Sequence, residues 1–133
     1  LDHINMVVFG LEGDERKLID YTMTKLRTLV EECNFGLIVV CHLKRIESKS
    51  GHEEGAVTSL SHLRGSHALA QLSDMVIGFE RNQQSSENNN IMTVRVLKNR
   101  YTGDCGVATS LIYNPESGRL SEGDFDEIER TAS

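Results

Sequence analysis

Leu37-Ile38-Val39-Val40-Cys41-His42-Leu43-Lys44 is the stretch on which the fold turns. Four aliphatic residues in a row read as a strand buried on both faces of a parallel sheet. The run stops at His42 and Lys44. Ligands of open α/β sheets bind beyond the carboxyl ends of the strands. A histidine and a lysine at that edge therefore point to a phosphate or another anion. The same arrangement opens the chain, where Asp2 and His3 precede Ile4 and the run Met6-Val7-Val8-Phe9. An aspartate at a strand tip suits a metal or a nucleotide. A chain that starts at such a strand is expected to be cut from something larger.

Outward from these runs, apolar Leu18, Ile19, Met23, Leu26, Leu29 and Val30 recur at three- and four-residue spacing, which predicts a helix over 13–33. Asp14 and Glu15 sit where the helix dipole favours acid, and Asn34 and Gly36 are stop residues. Strand, helix and strand in this order predict a right-handed βαβ unit. Residues 44–62 read as a polar loop, 66–73 as a helix with Ser66 as its N-cap, and 75–79 as a strand with Glu80 and Arg81 at its far end. Residues 82–90 form a polar turn. Ile91 to Leu97 alternates as a half-exposed strand near the sheet edge. A loop over 98–104, a last strand over 107–113 and a turn at 114–118 follow. Residues 121–133 read as an acidic, frayed tail. No domain boundary is legible before about residue 120.

The 133 residues, 38% hydrophobic and 26% charged, are those of one globular domain or a large piece of one. No run approaches the roughly 18 apolar residues of a membrane span, and no signal peptide is visible. A net charge of −6 argues against a protein that coats nucleic acid, but leaves room for binding through a local basic loop. Cys33, Cys41 and Cys105 lack metal-type spacing and read as reduced core or near-core thiols of an intracellular protein.

Each polar candidate has a bland alternative. His42 suits phosphate sensing or simply caps a strand. Lys44, Arg45 and Lys49 suit contacts to a nucleic-acid backbone or form a solvated loop, and Glu47, Glu53 and Glu54 interrupt the basic run. Arg64-Gly65-Ser66 makes an anion site at a helix start or an ordinary cap. Gln71 is a phosphate partner or a surface amide. Lys98 and Arg100 are placed to neutralise a transferring phosphoryl group or form a basic turn. Tyr113 stacks on a base or lies at a core edge. The five histidines show no zinc-like clustering. No nucleophile triad is legible, and no GxxxxGK[ST] loop is present.

Taken as an ordered set, several stretches resemble the C-terminal half of the RecA-like core of hexameric replicative DNA helicases. The phage primase–helicases and their Twinkle-like and DnaB-type relatives are the nearest in look. The stretches are LDHI, DERKLID…MTKL, CHLK, GHEEG, SHLRGSHALAQLSD, GFERNQQ, LKNRYTGDCG and YNPESGRL, and they span roughly residues 1–120. The resemblance implies an α/β fold: a RecA-like, mostly parallel twisted sheet with flanking helices, incomplete because the Walker A portion is missing. It also implies that residues 121–133 lie outside the core.

By the same resemblance, Asp2 is the Walker B aspartate that holds Mg2+ through water, and the nucleotide is ATP or dTTP. His42 senses the γ-phosphate and Gln71 is a polar sensor. Lys98 and the arginine finger Arg100 reach a nucleotide held by the neighbouring subunit. Arg81 and Tyr113 flank the base. Lys44, Arg45 and Lys49, with Arg64 and Gly65 nearby, grip single-stranded DNA in a central channel. The implied partners are single-stranded DNA, further copies of the chain in a hexameric ring and, through the acidic tail around Phe125, replisome proteins; no membrane is involved. The family works in bacterial or phage-infected cytoplasm and in mitochondria. The Walker A loop and catalytic glutamate, placed upstream of LDHI in the family, are missing, so the piece is expected to be inactive alone. A second reading is a non-hydrolysing RecA-like module, such as a loader or recombination mediator. A third is an acidic α/β interaction domain.

Overall fold

A computed structural model describes residues 1–45, 51–63 and 67–123. They form two compact units, Leu1–Lys44 with Leu60–Asp74, and Arg45–Ser59 with the chain from Met75 onward.

The first unit is helical. Helix α1 spans Ile4–Val8, α2 spans Glu15–Cys33 and α3 spans His67–Leu72, with a 3-10 turn at Leu60–His62. The N-cap of α2 is Asp14, whose carboxylate accepts from Arg16 N at 2.9 Å and Lys17 N at 3.2 Å. Two donors that the helix cannot satisfy itself are thereby paired. Asn34 ends α2 in the left-handed region, with φ of 51°, a conformation asparagine tolerates better than other residues with a Cβ. The core is Ile4 and Val8 from α1, Ile19 and Met23 from α2, and Leu69 from α3. Val39, Cys41 and Leu63 pack against it.

The run 37–41 is extended but forms no regular strand. Its neighbour is the first residue: Leu1 N donates to Ile38 O at 2.8 Å, and Val40 N donates to Leu1 O at 2.9 Å. Those two bonds flank Val39 in the pattern of a parallel rung. Ile4 N then donates to Val40 O at 3.0 Å as the chain turns into α1. The apolar run after Asp2, expected to continue a strand, is therefore a helix. Its residues Ile4 and Val8 recur at helical spacing and fill the core. One face of 37–41 packs on that core through Val39 and Cys41, while Ile38 is 84% exposed.

The second unit is a four-stranded sheet in the order β1 (Met75–Arg81), β2 (Ile91–Asn99), β3 (Gly106–Asn114) and β4 (Arg119–Gly123). Every pairing is antiparallel. The mostly parallel sheet that was expected is not formed by these four strands. The connections are short hairpins, which permit only antiparallel neighbours, and no helix intervenes to carry the chain across. Each hairpin begins on an asparagine whose side-chain oxygen accepts from the amides two and three residues on: Asn82 from Gln84 and Ser85, Asn99 from Tyr101 and Thr102, Asn114 from Glu116 and Ser117. Strand β4 takes in residues 121–123 of the expected tail; residues 124–133 lie outside the described residues.

Gly78 lies in the middle of β1, where glycine ordinarily weakens a strand. A Cβ there would meet Thr58 Oγ1 at 2.3 Å and Thr58 Cβ at 3.1 Å. The segment that carries Thr58 thus lies directly on β1, with no room for a side chain between them. Gly78→Ala is expected to cost about 1–3 kcal/mol as Thr58 is pushed off the strand. Urea denaturation of the chain measures this; a variant as stable as the original would show that the contact yields freely.

Candidate functional site

In the first unit the candidates gather where the two strand-like runs end. The rung between Leu1 and Val39 sets Asp2 and His3 alongside residues 40–42. The His3 and His42 rings meet edge to face, with centroids 4.1 Å apart. Asp2 and His42 are exposed. His3 Nδ1 is buried and has no hydrogen-bond partner. Lys44 follows, with its amide donating to His62 O at 2.7 Å and its Nζ to Ser61 O at 3.2 Å. Leu43 forms an isolated bridge with Leu63. Residues Ser61, His62 and Leu63 thus hold the chain at Leu43 and Lys44. Gln71 is exposed on α3.

Among the described residues, no group of three or more His, Cys, Asp or Glu is placed to hold a metal ion. Asp2 nevertheless fits Mg2+ bound through water, because such an ion keeps most of its waters and takes one or two carboxylates plus substrate phosphates.

In the second unit β1 and β3 bring Arg81 and Tyr113 together, with the guanidinium carbon 5.7 Å from the ring centroid. Arg81 Nε also donates to Asn89 O, so the turn 82–90 orients the side chain. A planar cation above an aromatic face is a ready platform for a third flat group. Lys98 lies near the end of β2 and Arg100 in the turn beyond it. That turn is held by the Asn99 side chain and by Gly103 N donating to Asn99 O at 2.9 Å, with Gly103 at φ of 78°. It presents Arg100 and a Tyr101 that is 76% exposed. Arg45 is exposed, and Lys49, Arg64 and Gly65 lie outside the described residues.

The sequence reading missed a heavily bonded polar group. The Glu80 side chain is 5% exposed. Its Oε1 accepts from Thr58 N at 2.7 Å, Thr58 Oγ1 at 2.8 Å and Arg95 Nε at 2.7 Å, and its Oε2 accepts from Arg95 Nη2 at 3.1 Å. The signal for it was Gly78 two residues earlier on the same face, since a glycine inside an apolar strand marks close approach of another backbone. Burial pushes the Glu80 carboxyl up, but the bonds from Arg95 and Thr58 outweigh it and hold the group below the usual carboxylate value.

A depressed folded value means the network contributes fully above the ordinary glutamate pKa of about 4.3 and fades as pH falls through the folded value. Glu80→Gln is expected to cost about 2 kcal/mol at neutral pH, the scale of hydrogen bonds to a charged group. The deficit relative to the parent chain is expected to shrink below pH of about 4. Denaturation curves of both chains across pH test this, and a gap independent of pH would remove the charge from the account.

No family model matches the chain. Over 126 residues it is 48% identical to the DNA helicase/primase of Enterobacteria phage T3, an alignment that takes in 94% of this chain and 22% of that relative. The resemblance carried by the ordered motifs is thereby borne out: the chain is similar, along nearly its whole length, to a segment of a phage DNA helicase/primase.

Proposed function

We propose that this chain forms part of a replicative DNA helicase, in which nucleotide hydrolysis drives movement along single-stranded DNA and unwinding of the duplex. The observation that carries the reading is the 48% identity over 126 residues to a DNA helicase/primase. The RecA-like core is part of the proposal. The parallel-type rung between Leu1 and Val39 supports it, because that rung is how neighbouring strands of such a sheet pair. Asp2 holds Mg2+ through water beside the phosphates of ATP or dTTP. His42 and Gln71 sense the terminal phosphate. Arg81 and Tyr113 receive the base. Lys44 and Arg45, with Lys49, Arg64 and Gly65, contact the DNA backbone, where sequence-neutral binding needs phosphate contacts and not base readout.

Arg100 and Lys98 serve a nucleotide on a neighbouring copy in a ring. Phosphoryl transfer is catalysed by placement and charge, and Arg100 stands at a turn braced by its own asparagine. The relative belongs to a phage, and the setting proposed for this chain is an infected cell; among the described residues no helix is long and apolar enough to cross a membrane.

In the full polypeptide that carries this chain, Arg100→Ala is expected to reduce DNA-stimulated hydrolysis by about 10³-fold or more, the scale of an arginine finger. Nucleotide affinity is expected to stay within a few-fold. Steady-state turnover with and without single-stranded DNA measures the first and equilibrium binding the second. Undiminished turnover would remove the finger role.

A further inference from the structure

The backbone around His42 is held on both sides. Before it, Val40 N donates to Leu1 O at 2.9 Å and Val40 O accepts from Ile4 N at 3.0 Å. After it, Leu43 bridges to Leu63, and Lys44 N donates to His62 O at 2.7 Å. The residue itself is exposed. The ring that stands against its imidazole is that of His3, with centroids 4.1 Å apart and planes at 67°.

We propose that His3 is a positioning residue for His42: its ring is the wall that holds the His42 imidazole in one orientation toward the terminal phosphate. The proposal rests on the reading of His42 as the phosphate sensor. His3 itself touches no nucleotide and acts through His42.

An exposed imidazole on a fixed backbone still turns about its side-chain bonds. A group that acts on a phosphate is effective when its orientation is set beforehand. An edge-to-face neighbour restricts that turning, since aromatic rings favour this arrangement. The wall must itself be still, and His3 is. Leu1 and Ile4, on either side of the Asp2–His3 pair, are both bonded to the 38–40 run. Asp2 belongs to the same short segment, so the residue proposed for Mg2+ and the wall of the sensor are consecutive.

His3 also forgoes two local contributions to stability. It is the N-cap of α1, yet its side chain makes no capping bond, where Ser, Thr, Asp or Asn would satisfy a helix donor. Its Nδ1 is buried and, among the described residues, has no hydrogen-bond partner, which disfavours the folded state. A side chain serving the helix would cap it. What the imidazole makes instead is the contact with His42.

The experiment is DNA-stimulated hydrolysis of ATP and dTTP by the full polypeptide that carries this chain. His3→Asn supplies a good cap and removes the ring, so thermal unfolding is expected to show no loss of stability. Its kcat is expected to fall about 10- to 100-fold, the range that a misplacement of about 1 Å costs, with KM within a few-fold. His3→Phe restores a ring and is expected to return kcat to within about 3-fold of the unsubstituted protein. In a His42→Ala background, His3→Asn is expected to lower kcat no further, because both substitutions then remove one interaction. Where His42→Ala turns over too slowly to read, the change in oligo(dT) affinity on adding a non-hydrolysable triphosphate analogue takes the place of kcat in the same comparison. Undiminished kcat in His3→Asn overturns the proposal, as does a His3→Phe variant no better than His3→Asn. A loss of full size in the His42→Ala background also overturns it, since His3 would then act through Asp2 or the fold, and the sensor reading of His42 would stand. Full activity in His42→Ala alone overturns that reading and the proposal with it. If His3→Asn does not fold, His3→Leu, which keeps volume without a flat ring, replaces it with the same outcomes.

Discussion

A carboxylate taken out of water must find donors for both oxygens, and Glu80 finds four. Much of the second unit follows from that requirement. Arg95 has to sit on β2 at a point where it can bracket the carboxylate, and the pairing of β2 with β3 shifts register between Val94 and Arg95. Thr58 has to lie flat on β1, so position 78 can carry no side chain. The polar segment 51–59, which has little apolar surface of its own, is held by this charge and by the bridge at Asn82 rather than by a core. Its order is therefore electrostatic in origin, and it is sensitive to substitutions that leave volume unchanged.

The two units share a second feature. Both leave an apolar face uncovered within the chain. Ile38 and Val40 project away from the core of the first unit, and Met75, Ile77 and Phe79 line one side of β1, with Phe79 57% exposed. Contiguous apolar surface of this kind is rare on a self-contained monomer. In an α/β core with helices on both faces of the sheet, such strands are covered on both sides. The described residues supply a layer for only one side of each, which accords with an alignment that takes in 22% of a longer relative.

Legibility in the sequence followed the range of the interaction responsible. Helix α2 was readable because its cap, apolar stripe and αL stop are all local. The sheet strands near 75, 91 and 107 were readable from alternation and turn residues. Their direction was not, since parallel and antiparallel strands of similar burial carry similar patterns, and only the short asparagine-led hairpins decide it. The run 37–41 was read as buried on both sides because sequence records what a strand is suited to, whereas the described chain provides one covering face. Helix α1 was missed because five residues are too few to show a period. Of the candidate site, the neighbouring of Arg81 and Tyr113 was implied by the family resemblance, whereas the contact of His3 with His42 was not foreseen. The Glu80 network joins residues 22 and 15 positions apart through polar side chains with no spacing rule, and only Gly78 hinted at it. Cys41 packs near the core as expected, but Cys33 and Cys105 are exposed; a cysteine's burial is set by the element it ends, not by its own preference.

The catalytic role proposed for Arg100 places a physical demand on the hairpin that carries it. Charge stabilisation of a transition state is effective when the stabilising group is already in place, because a group that must first be ordered offsets its attraction with lost freedom. An arginine at a loop tip would ordinarily be a poor choice on that ground. Here the backbone beneath it is fixed by three bonds to Asn99, two to its side chain and one to its carbonyl, and by a glycine that accepts the reversed turn. A finger acting on a nucleotide held by another copy, the role proposed for Arg100, needs a rigid base that registers the contact between copies and a side chain long enough to reach the phosphate.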